Sequence, residues 1–129
     1  MAQTIQRTRI PIVRLDGLTA LTDGDWMKFI QIQDRETDKM YLRADPQSDY
    51  HRDILCKFRD EAHSTLRIQH QEGRFFCPGG GRIRRDHARQ EIKIYDYSVD
   101  FGKYDIKTVK AIATPYLRRK LPGWKATFE

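Results

Sequence analysis

Tyr50, Ile54, Phe58 and Ala62 recur every four residues, with Leu55 and Leu66 beside the stripe, which predicts an amphipathic helix over about 49–66. Ser48 or Asp49 is suited to cap it, and Pro46 holds the preceding Asp45 out of helical geometry. A second 3.6-residue pattern, Ile106, Val109, Ile112 and Ala113, predicts a helix over about 105–114. Pro115 is expected to kink or end that helix, leaving 116–120 as one more turn.

Between these helices the period falls to two. Residues 26–33 alternate Trp26, Lys28, Ile30 and Ile32 against Met27, Phe29, Gln31 and Gln33, and residues 91–98 alternate Ile92 and Ile94 against Lys93, Tyr95 and Tyr97. Shorter extended segments are expected from Ile10 to Asp16, over 39–43, 67–70, 74–77, 82–84 and 124–128. Thr22-Asp23-Gly24-Asp25, Gln71-Glu72-Gly73, Phe101-Gly102 and Pro122-Gly123 are turn signals. Pro78-Gly79-Gly80-Gly81 is expected to be irregular, because consecutive glycines pack nothing and cost backbone entropy. Strands, helix, strands, helix, strand is the order of a single α+β domain spanning residues 1–129, with a mixed, mostly antiparallel sheet of about six strands and two main helices.

Composition narrows this picture. At 129 residues, with 39% hydrophobic and 33% charged side chains, the chain can bury a core without cross-links. No apolar run approaches the ~20 residues that span a bilayer, and residues 1–9 lack the apolar core of a secretory signal, so a cytoplasmic location is expected. Cys56 and Cys77 show no Cys-x-x-Cys spacing and no histidine cluster, which argues against structural zinc and for reduced thiols. A net charge of +6 attracts an anionic partner without specifying it. The densest basic run, Arg82, Arg84, Arg85 and Arg89, is most simply a solvated face, and no nucleic-acid partner is expected.

Four places could carry chemistry. His51 opens the first helix on the margin of its buried face; there the helix dipole favours the neutral imidazole a general base requires, although a surface histidine is the plainer reading. Lys28 shares a strand face with large apolar residues, as either a snorkelling edge lysine or a cation at a pocket rim. Cys77 precedes Arg82 by four intervening residues, whereas a cysteine-phosphatase loop needs five; the one-residue deficit changes the curvature of the cradle and argues against a thiolate nucleophile. Tyr97-Ser98-Val99-Asp100-Phe101-Gly102 leaves the second strong strand in a loop whose amides could hold an anion.

Tyr50-His51-x-Asp53-Ile54, Cys77-x-Gly79-Gly80-Gly81-Arg82-Ile83 and Ile94-Tyr95-x-Tyr97-Ser98, in this order and spacing, resemble the Janus/phosphohistidine phosphatase family from about Phe29 onward. The resemblance implies a small cytosolic phosphatase that needs no metal or other cofactor and acts on phosphohistidine-containing proteins, in some cases on phospholysine; a monomer is expected. It implies that His51 is the base and that Lys28 binds substrate. Backbone amides at Ser98, Val99 and Asp100 would bind phosphate, with Arg82 and Arg43 as supporting cations. Two positions depart from the pattern: Ile106 stands where members often carry a second histidine, and Asp100 puts a carboxylate in the phosphate loop. The alternative is a catalytically weak or inactive phosphoprotein-binding regulator of the Janus type.

Overall fold

The computed structural model describes residues 10–68 and 72–129. Six strands form one sheet in the order β1-β3-β2-β4-β5-β6: Val13–Leu15, Met40–Asp45, Trp26–Asp34, Phe75–Asp86, Glu91–Tyr95 and Lys125–Phe128. The outer pairs β1–β3 and β5–β6 are parallel and the central pairs antiparallel. The mixed α+β architecture expected from the element order is therefore the one observed.

Helices α1 (His51–Leu66) and α2 (Ile106–Lys120) cover opposite faces. Strand alternation sorts the core accordingly. Ile30, Ile32 and Tyr41 pack with Ile54, Phe58 and Ala62 of α1, while Met27, Phe29, Leu42, Ile83 and Ile94 pack with Val109, Ala113 and Leu117 of α2. Gln31 points to the α2 side, and its side-chain oxygen accepts the backbone N–H of Asp105 at 2.9 Å, fixing the entry to α2.

Local expectations yield in five places. The first helix is capped at Tyr50, whose N–H donates to the Asp53 carboxylate at 3.0 Å; Ser48 instead donates to Asp45. Tyr50 itself lies outside the core, 54% exposed. Pro115 does not end α2, which continues to Lys120. Burial of Tyr116 and Leu117 and a hydrogen bond from the Leu15 amide to the Tyr116 hydroxyl hold the final turns in place. A strand expected over 67–70 is absent at Arg67 and Ile68, where Arg67 adopts a left-handed C-cap (φ 55°); Gln69, His70 and Gln71 lie outside the described residues.

The largest correction concerns the glycines. Gly79, Gly80 and Gly81 lie inside the continuous strand β4. A Cβ on Gly79 would sit 2.3 Å from the Lys103 carbonyl oxygen, on Gly80 2.6 Å from that of Phe29, and on Gly81 2.4 Å from that of Tyr95. The glycines let neighbouring backbone crowd this strand from several sides, and that packing outweighs their entropic cost. Register slips by one residue between Gln31 and Gln33, so β4 bulges near Pro78, which has no N–H to give the ladder.

Candidate active site

His51 is the first residue of α1, and α1 lies across β2 and β4, so the imidazole is laid onto the glycine segment. It is 5% exposed. Its Nε2 lies 3.0 Å from the carbonyl oxygen of Gly81, and a Cβ on Gly80 would come within 3.0 Å of the ring. A carbonyl oxygen only accepts, so Nε2 carries the hydrogen and Nδ1 keeps the lone pair in the neutral ring.

Burial pushes the imidazole below its ordinary value of 6.5, and the Gly81 carbonyl pulls it back. Lys28 pushes it down, Asp100 raises it and Arg82 lowers it, with burial prevailing. The α1 dipole acts in the same direction as burial. His51 is thus a neutral imidazole at pH 7, flanked by two cations.

Those cations occupy one row of the sheet. Lys28 on β2 is directly paired with Arg82 on β4, and Arg82 with Tyr95 on β5. β2 is a central strand, which removes the edge-lysine reading of Lys28. Trp26, two residues earlier on the same face, is a shared platform: Lys28 Nζ stands 5.0 Å and the Arg82 guanidinium carbon 4.1 Å from its ring centroid. Asp96 lies 3.3 Å from Arg82 Nε. Neither Trp26 nor Asp96 was singled out from sequence. The two-residue spacing of Trp26 and Lys28 was visible, but their convergence with Arg82 depends on strand register.

The glycine segment also receives the Ser98 loop. Gly80 N–H donates to the Gly102 carbonyl at 3.1 Å, and Ser98 and Gly102 exchange backbone hydrogen bonds of 3.0 and 2.7 Å. The buried Ser98 hydroxyl accepts from the Phe101 amide at 3.1 Å. The Ser98 amide and hydroxyl thus shape the loop, while the N–H groups of Val99 and Asp100 donate to no acceptor among the described residues. Val99 is 89% exposed at the tip, and Asp100 is close enough for its charge to act on His51.

Arg43 differs from the other candidates. It is 3% exposed, and its guanidinium donates to Glu61 and to the carbonyls of Pro11, Ile12 and Leu42. Its task is to join α1, β3 and the segment before β1. Cys77 is also removed from the chemistry. Burial pushes its thiol up to about 12, against hydrogen bonds with the backbone of Gly79 and Gln31, so it remains a protonated core residue. Among the described residues no group of three or more His, Cys, Asp or Glu side chains is arranged to hold a metal, and no helix is long and apolar enough to cross a membrane.

The arrangement brings a proton acceptor, two cations and two open amides around one glycine segment. It suits a small anion held beside a base. Comparison with known proteins gives this arrangement a lineage. The sex-regulated protein janus-A of Drosophila melanogaster is 32% identical over 82 residues, which is 63% of this chain and 56% of that protein. The janus-A proteins of Drosophila yakuba and Drosophila mauritiana match over the same length at 32% and 30%. The chain spans about half the length of the curated relatives it matches. The family model described as Janus/Ocnus family (Ocnus) covers residues 19–120, from the turn before β2 to the end of α2. With most of its length inside that match, the chain belongs to the Janus/Ocnus family.

Proposed function

We propose that this protein hydrolyses phosphohistidine in proteins, with His51 as general base. The observation that carries the reading is a buried, neutral imidazole with Nδ1 unprotonated, set among Lys28, Arg82 and the open amides of Val99 and Asp100. In the reaction, Nδ1 takes a proton from water as the water oxygen attacks phosphorus. The P–N bond breaks in line, and its electron pair returns to a substrate imidazole that is protonated on its other nitrogen and leaves neutral. Lys28, Arg82 and the amides hold the dianionic phosphoryl oxygens through that displacement. A leaving group this good needs no protein nucleophile, consistent with the protonated state of Cys77. Phospholysine, another phosphoramidate, falls within the same chemistry. The expected partners are phosphohistidine-bearing proteins, met in the cytoplasm by a monomer.

The test is phosphate release from a phosphohistidine peptide in the presence of EDTA, with wild type beside His51→Ala and circular dichroism to confirm folding. Loss of at least about 100-fold in the variant is expected for removal of a general base. Full turnover by a folded His51→Ala protein would reject the mechanism.

A second reading, a phosphoprotein-binding regulator without turnover, is favoured by one observation. Asp100 acts on His51 from the loop that supplies the open amides, and its carboxylate opposes a bound phosphate. Binding of phosphopeptide by wild type without phosphate release would select it.

A further inference from the structure

The sheet face that carries the site extends beyond it. Among the described residues, α1 begins at His51 and covers Ile30, Ile32 and Tyr41, with no helix over the ends of β2 and β4 or over β5 on that side. Register places Trp26, Arg84 and Lys93 in one row across the three strands, next to the row of Lys28, Arg82 and Tyr95. The basic run that looked uniform in sequence is split by the pleat. Arg85 points to the opposite face, where it is buried, stacked 4.6 Å from the Trp124 ring and bonded to the carbonyl of Thr19 at 2.9 Å. Arg82 and Arg84 remain on the site face.

Arg84 is exposed and has no carboxylate partner among the described residues. Lys93 is 3.6 Å from the Glu129 carboxylate, and Arg89 is 3.8 Å from that of Asp86, pairs loose and exposed enough to exchange with an incoming carboxylate. With Asp86 and Glu91 these side chains line a cleft of about 270 Å³. Trp26, 45% exposed, joins the cleft row to the row beside His51.

We propose that this strip docks acidic side chains flanking the phosphorylated residue of a protein substrate, with Arg84 and Lys93 as the specificity-determining cations. The proposal rests on the reading of His51 and its row as the phosphate site. Successive same-face residues of a strand are roughly 7 Å apart, the distance an extended peptide covers in two residues. A phosphoryl group on the row of Lys28 and Arg82 therefore puts a side chain two to four positions away over Arg84 and Lys93. The carboxylates of Asp86, Glu91 and Asp96 interleave with the cations along the strip, an arrangement that favours discrete acidic side chains over a continuous phosphodiester chain.

The test compares two peptides carrying a non-hydrolysable analogue of phosphohistidine, one with Glu and one with Gln at two and four residues on either side of it. Dissociation constants from calorimetry are measured for wild type and for the double variant Arg84→Gln/Lys93→Gln, and turnover of free phosphoramidate ion is followed in parallel. Wild type is expected to bind the Glu peptide about three- to tenfold more tightly, a preference that shrinks with added salt, as two exposed ion pairs allow. The double variant should lose that preference and keep wild-type turnover of phosphoramidate. Equal affinity for the two peptides, a preference that survives in the double variant, or tighter and steeply salt-dependent binding of a single-stranded RNA oligomer would each overturn the proposal. Absence of phosphate release by wild type would count against the catalytic reading alone, because docking is read from the dissociation constants.

Discussion

His51 donates its Nε2 hydrogen to the Gly81 carbonyl oxygen across 3.0 Å, which makes Nδ1 the proton acceptor of the site. The contact depends on the adjoining Gly80, where a Cβ would lie 2.6 Å from the Phe29 oxygen and 3.0 Å from the imidazole. Gly80→Ala must shift β2 or the ring. It is expected to destabilise the fold by about 1–3 kcal/mol, as overpacking does, and to lower turnover per folded molecule. Urea denaturation and phosphate release on the same preparation separate the two effects.

The depressed His51 pKa sets a pH dependence of defined sign. A base neutral below its ordinary 6.5 keeps its lone pair further into acid, so the acidic limb of kcat/KM should fall below pH 6.5. Asp100→Asn removes a carboxylate that raises this pKa, and should move the limb still lower. Stability follows the same group. The unfolded chain takes up the proton first, so the contribution of neutral His51 is present above the unfolded value and is lost as pH falls from there through the lower folded one. An acidic limb above pH 6.5 in wild type would contradict the assignment.

Cys77 should be dispensable for chemistry. Its thiol, pushed up to about 12, is not a thiolate at any working pH. Cys77→Ala is expected to cost about 1 kcal/mol, toward the low end for removal of a buried group, and to leave kcat within about twofold of wild type. Loss of activity in a folded variant would restore the thiol to consideration.

Arg43→Met provides a contrast with the site cations. It removes donors to three backbone carbonyls and to Glu61, and should cost about 3 kcal/mol in denaturation experiments. The KM of the folded variant should remain that of wild type, whereas Lys28→Met should raise KM with little loss of stability.

Acid stability should depend on Asp34. Burial raises this carboxyl, but hydrogen bonds from Arg74, the Glu36 amide and Thr37 outweigh it and hold the group below 3.8. Its contribution is present above that unfolded value and disappears as pH falls through the lower folded one. Arg74→Ala leaves the carboxylate buried without its two 3.0 Å partners, and is expected to cost about 3–5 kcal/mol at pH 7. It should also flatten the stability curve below pH 4.

The two strong helix periodicities and the alternation of β2 and β5 were legible because each element buries one face, and burial selects residues at the period of the element. Short or crowded segments were not legible in this way. The glycines of β4 looked like a break because their local preference is for irregular backbone; the requirement that overrides it comes from Lys103, Phe29 and Tyr95, which are remote in sequence. Pro115 looked like a stop because the cost of its missing N–H is local, whereas the Leu15–Tyr116 contact that offsets it is not. His51, Arg82 and the Ser98 loop were named from their motifs and Lys28 from its strand alternation, while Arg43 came in with the family resemblance, since sequence does not show which arginine has already spent its donors.

The order of elements, the family-bearing motifs and the chemical types available at the site were therefore determined by the sequence alone, through periodicity, turn chemistry and residue identity. Tertiary structure alone decided which nitrogen of His51 is free, which thiol is silenced, and which cations share a face. Those properties depend on strand register, the pleat and burial, and all three arise from contacts between residues far apart along the chain.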